Sequence, residues 1–334
     1  TLRLLLPVAA SICNDVDVDA KGRLPDRPLE PMLSEMKAHG VTFSQDKPPF
    51  TMTGRLQGGN FSMVGDVSSQ FFSGLLLAAP QIGLSTITST TPLQSSDYVT
   101  LTTETMRDFG VEVEHTLPDT NINEAFTVPF GASFIGRDNY QIEGDWSNAA
   151  IWMVAAGMTG KPITITGMNK NSVQADRRIM QVMIDAGCDV VWDGMNVTVT
   201  GRASKPIHAD LEQMPDMLPV MAALACSISG ESSFVKGARL RLKESDRLVA
   251  VANLVRDLGG TVREEGDDLY IIGSGILKGG HGDCVNDHRL VMAGTLMALI
   301  SENPVTLQDS ESITKSYPHF FEDWNLLGGN AQLV

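Results

Sequence analysis

Basic residues are scarce in this chain: 25 Lys and Arg stand against 40 Asp and Glu, a formal net charge of -15 over 334 residues. A surface of that sign repels nucleic acid and anionic membrane, so a protein built to grip either one is excluded unless its few cations are strongly clustered. Only four cysteines occur, Cys13, Cys188, Cys226 and Cys284, far apart and with no CxxC pair. That spacing excludes a disulfide framework and predicts a reducing compartment, the cytoplasm. No apolar run approaches the roughly 18 residues needed to span a bilayer, and no secretory signal is visible. A GxSxG elbow is missing, which removes the commonest serine-hydrolase arrangement. Long Pro/Ser-rich or low-complexity linkers are missing too.

What is present is a repeat. GDVSSQFFSGLLLAAP begins at Gly65 and GDWSNAAIWMVAAG at Gly144, each a Gly-Asp, small polar residues and a smooth apolar run. Two more acidic residues precede apolar runs, Asp216 in MPDMLPVMAALA and Asp287 in NDHRLVMAGTLMALI, so that Asp66, Asp145, Asp216 and Asp287 are spaced by 79, 71 and 71 residues. An Asp or Ser at such a place caps a helix by accepting from its unpaired first-turn amides. Four helix starts are therefore predicted. Each leads to a β-rich stretch (STITST, PITITG, SSFVKG, PVTLQD), and in most copies to a second helix closed by a glycine (Gly40, Gly110, Gly187, Gly259) and two short strands. The unit is β-α-β-α-β-β, and its recurrence predicts a mixed α/β protein with helix-covered sheets. A chain of this length and 43% hydrophobic content fits about two domains. The weakly hydrophobic loop from Asn121 to Tyr140 places the boundary near 141, giving domains 1–140 and 141–334.

The few cations gather where the repeat turns from strand to helix. Arg27 lies in DRPLEPML; Arg239, Arg241, Lys243 and Arg247 lie in ARLRLKESDRL; His288 and Arg289 lie in NDHR; Lys315 lies in SITKSYP. Cations oppose the dipole at a helix start, so their gathering there points to an anion among them. Arg would grip a carboxylate or phosphate at two points, and Lys would add a compact charge. The plainer reading of KESDR is a solvated helical face with a Glu244–Arg247 pair; that of NDHR is Asp287 as a cap beside two exposed side chains. HGDCVNDH, with His281, Asp283, Cys284, Asp287 and His288, fits no common structural zinc spacing.

RPLEPM, GDVSSQF, LKESDR, NDHR and TKSYP, in this order along nearly the whole chain, resemble the 5-enolpyruvylshikimate-3-phosphate synthase family. The resemblance implies two domains, each an inside-out α/β barrel of three β-α-β-α-β-β units, the first incomplete here. It implies transfer of the enolpyruvyl group of phosphoenolpyruvate to the 5-hydroxyl of shikimate 3-phosphate, with release of phosphate, by a monomer that needs no metal or organic cofactor. On the matching positions, Ser68, Ser69, Gln70 and Ser95 would hold shikimate 3-phosphate, with Lys243 and Asp216 completing that pocket. Arg27, Arg247, Arg289 and Lys315 would clamp phosphoenolpyruvate beside His288 and Gln70. Asp216 is the expected base toward the attacking hydroxyl and Glu244 the expected proton carrier at the methylene carbon.

Family members also carry a Gly-Ser-Lys-Ser segment and a further Arg upstream, with no counterpart here. The chain opens at Thr1 inside an apolar run, so the expectation is a piece of the synthase with little or no turnover alone. The related transferase acting on UDP-N-acetylglucosamine places a reactive cysteine shortly before the residue matching Arg27; DAKGRLPDRP has none. A non-catalytic module derived from such an enzyme would not need the retained Asp216 and Glu244. An RNA-terminal cyclase of related fold is disfavoured by the acidic balance.

Overall fold

The computed structural model describes residues 1–22, 24–119 and 123–332, and the chain separates into two units, Thr1–Gln141 with Val173–Ala175 and Ile142–Ser172 with Asp176–Val334. Asn121, where the expected linker loop begins, lies outside the described residues.

In the first unit, helix α1 (Leu2–Ile12) leads to strand β1 (Asp15–Val18), helix α2 (Met32–Ala38) and strands β2 (Val41–Phe43) and β3 (Phe50–Gly54), paired antiparallel in the order β1-β3-β2. A complete copy of the repeat follows: β4 (Gly59–Met63), α3 (Ser69–Ile82), β5 (Ser85–Ser89), α4 (Ser96–Asp108), β6 (Glu114–Thr116) and β7 (Ala125–Val128). Its sheet runs β4-β5-β7-β6, parallel between β4 and β5 and antiparallel elsewhere.

The second unit begins with α5 (Trp146–Thr159), β8 (Ile163–Ile165), α6 (Ile179–Asp185), β9 (Asp189–Asp193) and β10 (Asn196–Thr200). Another complete copy follows: β11 (His208–Asp210), α7 (Leu218–Cys226), β12 (Gly230–Val235), α8 (Arg247–Asp257), β13 (Thr261–Glu265) and β14 (Asp268–Gly273). Its order, β11-β12-β14-β13, repeats that of the complete copy in the first unit, strand for strand. The chain then runs through β15 (Gly280–Asp283), α9 (His288–Ala298), β16 (Val305–Gln308) and α10 (Phe320–Leu326), with β15 and β16 parallel.

Apolar side chains on all sides of a helix leave it no solvent face, and this decides what lies at the centre. Every residue of α7 is buried, and so are nearly all of α5 and α9. These three helices pack on one another, with sheets outside them: α5 against β8 and β10, α7 against β12 and β14, α9 against β16. The second helices, α6 and α8, cover β9 and β13.

The glycines after the second helices explain how the chain leaves each one. Gly110 and Gly259 each have φ 86, and the next residue donates back to the last helical turn, Val111 to the Met106 carbonyl at 2.9 Å and Gly260 to that of Val255 at 2.8 Å. Left-handed backbone is strained for any residue with a Cβ, so glycine closes the helix and frees the chain to return as a strand. Gly40 and Gly187 hold the same place at φ 97 and 99.

In the first unit α1 lies against α3 at Gly74, where a Cβ would stand 2.5 Å from the Arg3 carbonyl oxygen. Gly74→Ala must push the helices apart, at about 1–3 kcal/mol. Its thermal midpoint is expected to fall by about 3–10 °C; an unchanged melting curve would refute the close approach.

Candidate active site

The predicted site residues divide between the units, Arg27, Ser68, Ser69, Gln70 and Ser95 in the first and Asp216, Lys243, Glu244, Arg247, His288, Arg289 and Lys315 in the second. In the second they converge on helix starts.

Arg247 opens α8 and is 1% exposed, a cost that only paired anions can offset. Three carboxylates provide them. Its Nη1 donates to Asp216 Oδ1 at 2.6 Å, its Nε to Asp287 Oδ2 at 2.9 Å and its Nη2 to Glu244 Oε2 at 2.7 Å. The Glu244–Arg247 pair expected on a solvated face is therefore real, but Arg247 itself is buried. Asp287, fully buried, also caps α9 by accepting from the Arg289 amide at 3.0 Å and takes the Ser245 hydroxyl at 3.0 Å.

Asp216 lies in a 3₁₀ turn, Pro215–Met217, just before α7, and forms no cap. At the equivalent places Asp145 caps α5, accepting from the Ser147 and Asn148 amides at 2.7 and 3.2 Å, and Asp287 caps α9. In the first unit Ser68, not Asp66, caps α3. The Asp216 carboxylate instead faces three cations: Arg247, Lys243 Nζ at 3.0 Å and Arg289 Nη2 at 3.6 Å. Burial would raise its pKa, but the charges of Lys243, Arg289 and Arg247 outweigh burial and hold it well below the usual aspartate range. Asp287 is lowered likewise, burial being overcome by Arg247.

Arg289 also reaches across to α5, donating from Nη2 to Ser147 Oγ at 3.3 Å. Burial, then the neighbouring Arg289 charge, lowers the His288 pKa, so its imidazole is neutral near pH 7; its Nδ1 has no hydrogen-bond partner among the described residues. Lys315 is exposed, and its ammonium is held by the Asn286 carbonyl at 2.6 Å and side-chain oxygen at 2.8 Å. Asn286 (φ 55) and Val285 (φ 42) are left-handed non-glycine residues, strained backbone of the kind found at functional sites. Arg241, grouped with these cations by sequence, belongs elsewhere: it pairs with Asp246 at 3.1 Å and Asp267 at 2.8 Å on the outer side of its turn.

In the first unit Ser68 and Ser69 are buried at the start of α3, and the Gln70 amide donates to Ser68 Oγ at 3.3 Å. Ser95 is buried in a left-handed conformation (φ 53) at the start of α4. The two turns are tied together by Gln94 N to Gly65 O at 3.1 Å and Gly65 N to Thr91 Oγ1 at 2.8 Å. Arg3, which sequence reasoning passed over, stacks on Phe71, donates to Ser68 Oγ at 3.3 Å and to the Pro28 carbonyl at 2.8 Å beside Arg27. Only its place in an N-terminal apolar run, where an Arg is out of character, could have marked it.

Two solved structures share this fold over nearly the whole chain: an EPSP synthase from Acinetobacter baumannii (TM-score 0.78, 23% identity, 100% of this chain and 78% of that one) and the enolpyruvyl transferase NikO from Streptomyces tendae (TM-score 0.75, 19% identity, 98% and 76%). The chain has the fold of these two proteins. Residues 1–324 match the model of EPSP synthase (3-phosphoshikimate 1-carboxyvinyltransferase), and the chain belongs to that family. The relatives named 3-phosphoshikimate 1-carboxyvinyltransferase from Clostridium kluyveri and Methanocorpusculum labreanum are 36% and 35% identical, over 98% and 99% of this chain and 76% and 78% of their own length.

The Arg247 cluster has a measurable signature. Asp287→Ala leaves a buried guanidinium short of one of its three carboxylate partners and should cost about 3–5 kcal/mol. Because Asp216 and Asp287 are depressed in the folded chain, the stability they contribute is complete above the unfolded aspartate value of about 3.9 and is lost as pH falls through their folded values. The stability gap between wild type and Asp287→Asn in urea unfolding is expected to be full at about pH 6 and to narrow below about pH 3.9. A gap independent of pH would refute it.

Proposed function

We propose that the chain transfers the enolpyruvyl group of phosphoenolpyruvate to the 5-hydroxyl of shikimate 3-phosphate and releases phosphate, a step toward aromatic amino acids in the cytoplasm. One observation carries the reading: Asp216, a half-buried carboxylate at a helix start, is turned from capping to three cations that a polyanionic ligand could share.

Both substrates are anions. Arg289, Lys315 and Arg27 would grip the phosphate and carboxylate of phosphoenolpyruvate with Arg247, His288 and Gln70 beside them, and Ser68, Ser69, Gln70, Ser95 and Lys243 would hold shikimate 3-phosphate. Ser68 spends its hydroxyl oxygen on the Gln70 amide and Arg3, leaving its proton to donate to an anion. Glu244 would protonate the methylene carbon, which makes the neighbouring carbon electrophilic. Asp216 would take the proton of the attacking 5-hydroxyl as its oxygen bonds to that carbon. Re-forming the double bond then requires a methyl proton to leave, back to Glu244, while the carbon–oxygen bond to phosphate breaks and the proton held by Asp216 passes to the departing phosphate.

A depressed pKa makes Asp216 a weak base as it stands. Anionic ligands change that: a phosphate drawing on Lys243 and Arg289 takes away the charges that depress it, and its proton affinity rises as the substrates arrive. Fixed guanidiniums supply the remaining stabilisation of developing charge without reorganisation.

Equilibrium binding and phosphate release test the reading. Shikimate 3-phosphate and phosphoenolpyruvate are expected to bind, and any phosphate release to require both. Arg289→Ala should weaken phosphoenolpyruvate, and Lys243→Met shikimate 3-phosphate, by about 10- to 100-fold, the loss of one charge-assisted hydrogen-bonding group. Wild type that binds neither ligand overturns the proposal.

A further inference from the structure

Asp176 is 2% exposed, and the transferase reading gives it no task. Its Oδ2 accepts a hydrogen bond from the Ser147 hydroxyl, while its Oδ1 is buried without a hydrogen-bond partner among the described residues. Such a carboxyl is expensive to keep, because burial works against its ionisation; burial is the main cause raising its pKa, Arg289 opposes it, and Asp216 and Asp145 add to it. Something at its other end has to gain from it.

The gain is in direction. A serine hydroxyl has one proton, and once that proton is committed to Asp176 the oxygen's remaining lone pairs are left to accept. One accepts from Arg289 Nη2 at 3.3 Å. Ser147 cannot drift, since its amide is held by Asp145 Oδ1 at 2.7 Å in the first turn of the buried helix α5. The next residue, Asn148, ties the same turn to the Ser316 carbonyl at 3.3 Å, beside Lys315. Arg289 is thus met by Asp216 Oδ2 at 3.6 Å and by an oriented hydroxyl. A guanidinium restrained in this way loses less freedom when it binds an anion.

We infer that Asp176 is a positioning residue which, through the Ser147 hydroxyl, fixes the Arg289 guanidinium in the orientation that grips phosphoenolpyruvate. The inference rests on the proposed function. Without Asp176 the hydroxyl is free to turn its proton toward the guanidinium, and Arg289 loses an acceptor.

Calorimetric binding of phosphoenolpyruvate at saturating shikimate 3-phosphate, and of shikimate 3-phosphate alone, tests it in wild type and four variants. Asp176→Ala and Ser147→Ala should weaken phosphoenolpyruvate about tenfold and leave shikimate 3-phosphate within about twofold, the loss of one hydrogen bond to a charged group. Ser147→Thr, which keeps the hydroxyl, and Asp176→Asn, which keeps an acceptor oxygen, should each bind phosphoenolpyruvate within about threefold of wild type. If Asp176→Ala does not fold, the half-buried Ser147 pair of variants carries the test. Ser147→Ala that binds phosphoenolpyruvate like wild type, or that loses both ligands equally, or Ser147→Thr that fails to restore binding, overturns this inference alone. Wild type that binds neither ligand overturns it together with the transferase reading.

Discussion

A single guanidinium with no access to water organises the second unit. Arg247 stands at the first position of α8 and is held by Asp216 before α7, Glu244 on its own segment and Asp287 at the cap of α9. The starts of α7 and α9, 31 residues before it and 40 after it in sequence, are thereby fixed with that of α8 to one planar group. A buried ion cluster is poor evidence for net stability, because desolvation consumes most of the Coulomb gain. What it does secure is register: the fork geometry of arginine accepts these oxygens in few arrangements, so the helix starts cannot slide past one another without leaving a charge unpaired.

That constraint also explains how a repeated structural position acquired a different task. Asp145 and Asp287 spend their carboxylates on first-turn amides, as an acidic residue before a helix ordinarily does. Asp216 stands 71 residues from each, yet a 3₁₀ turn separates it from α7 and its carboxylate looks toward Lys243, Arg247 and Arg289. The cations gathered at the helix starts do have an anion among them, as their placement against the dipole suggests, and in the structure it is the protein's own. Under the proposed function the resident carboxylate keeps the cations charged, close and aligned.

The repeat was legible because its punctuation is local. An N-cap acts within three residues, and a left-handed glycine closes a helix wherever it occurs, so Asp145, Asp287, Gly110 and Gly259 announce their roles to a reader of sequence alone. Asp66 misled because Ser68, two residues on, competes for the same amides and caps the helix instead. The gathering of Lys243, Arg247 and Arg289 was legible from their recurrence at strand-to-helix junctions. The burial of Arg247 was not, since Glu244 and Arg247 three residues apart look the same on a solvated helix as in a core. Asp176 and Arg3 left less still. Their partners, Ser147 and Ser68, lie 29 and 65 residues away; nothing in the flanking residues distinguishes ADRR from an ordinary helix end, and TLRL shows no more than an Arg set in an apolar run. Interactions of that span are decided by packing, which pattern alone does not contain.

A site whose cations are already neutralised selects its ligand by charge. A monoanion approaching Lys243 and Arg289 offers little more than Asp216 already provides, and must still be stripped of water. A ligand carrying both carboxylate and phosphate offers several oxygens with more than one negative charge, so it can take up Arg289 and Lys243 without leaving Asp216 wholly unpaired, because Arg247 remains at 2.6 Å. Under the proposed function the internal ion pairs would set a threshold, weakening the binding of simple anions and leaving room for one that matches several cations at once. Under the proposed function the same exchange would move Asp216 from a fully paired carboxylate toward a competent proton acceptor only with the ligand in place, coupling the onset of base strength to occupancy of the site.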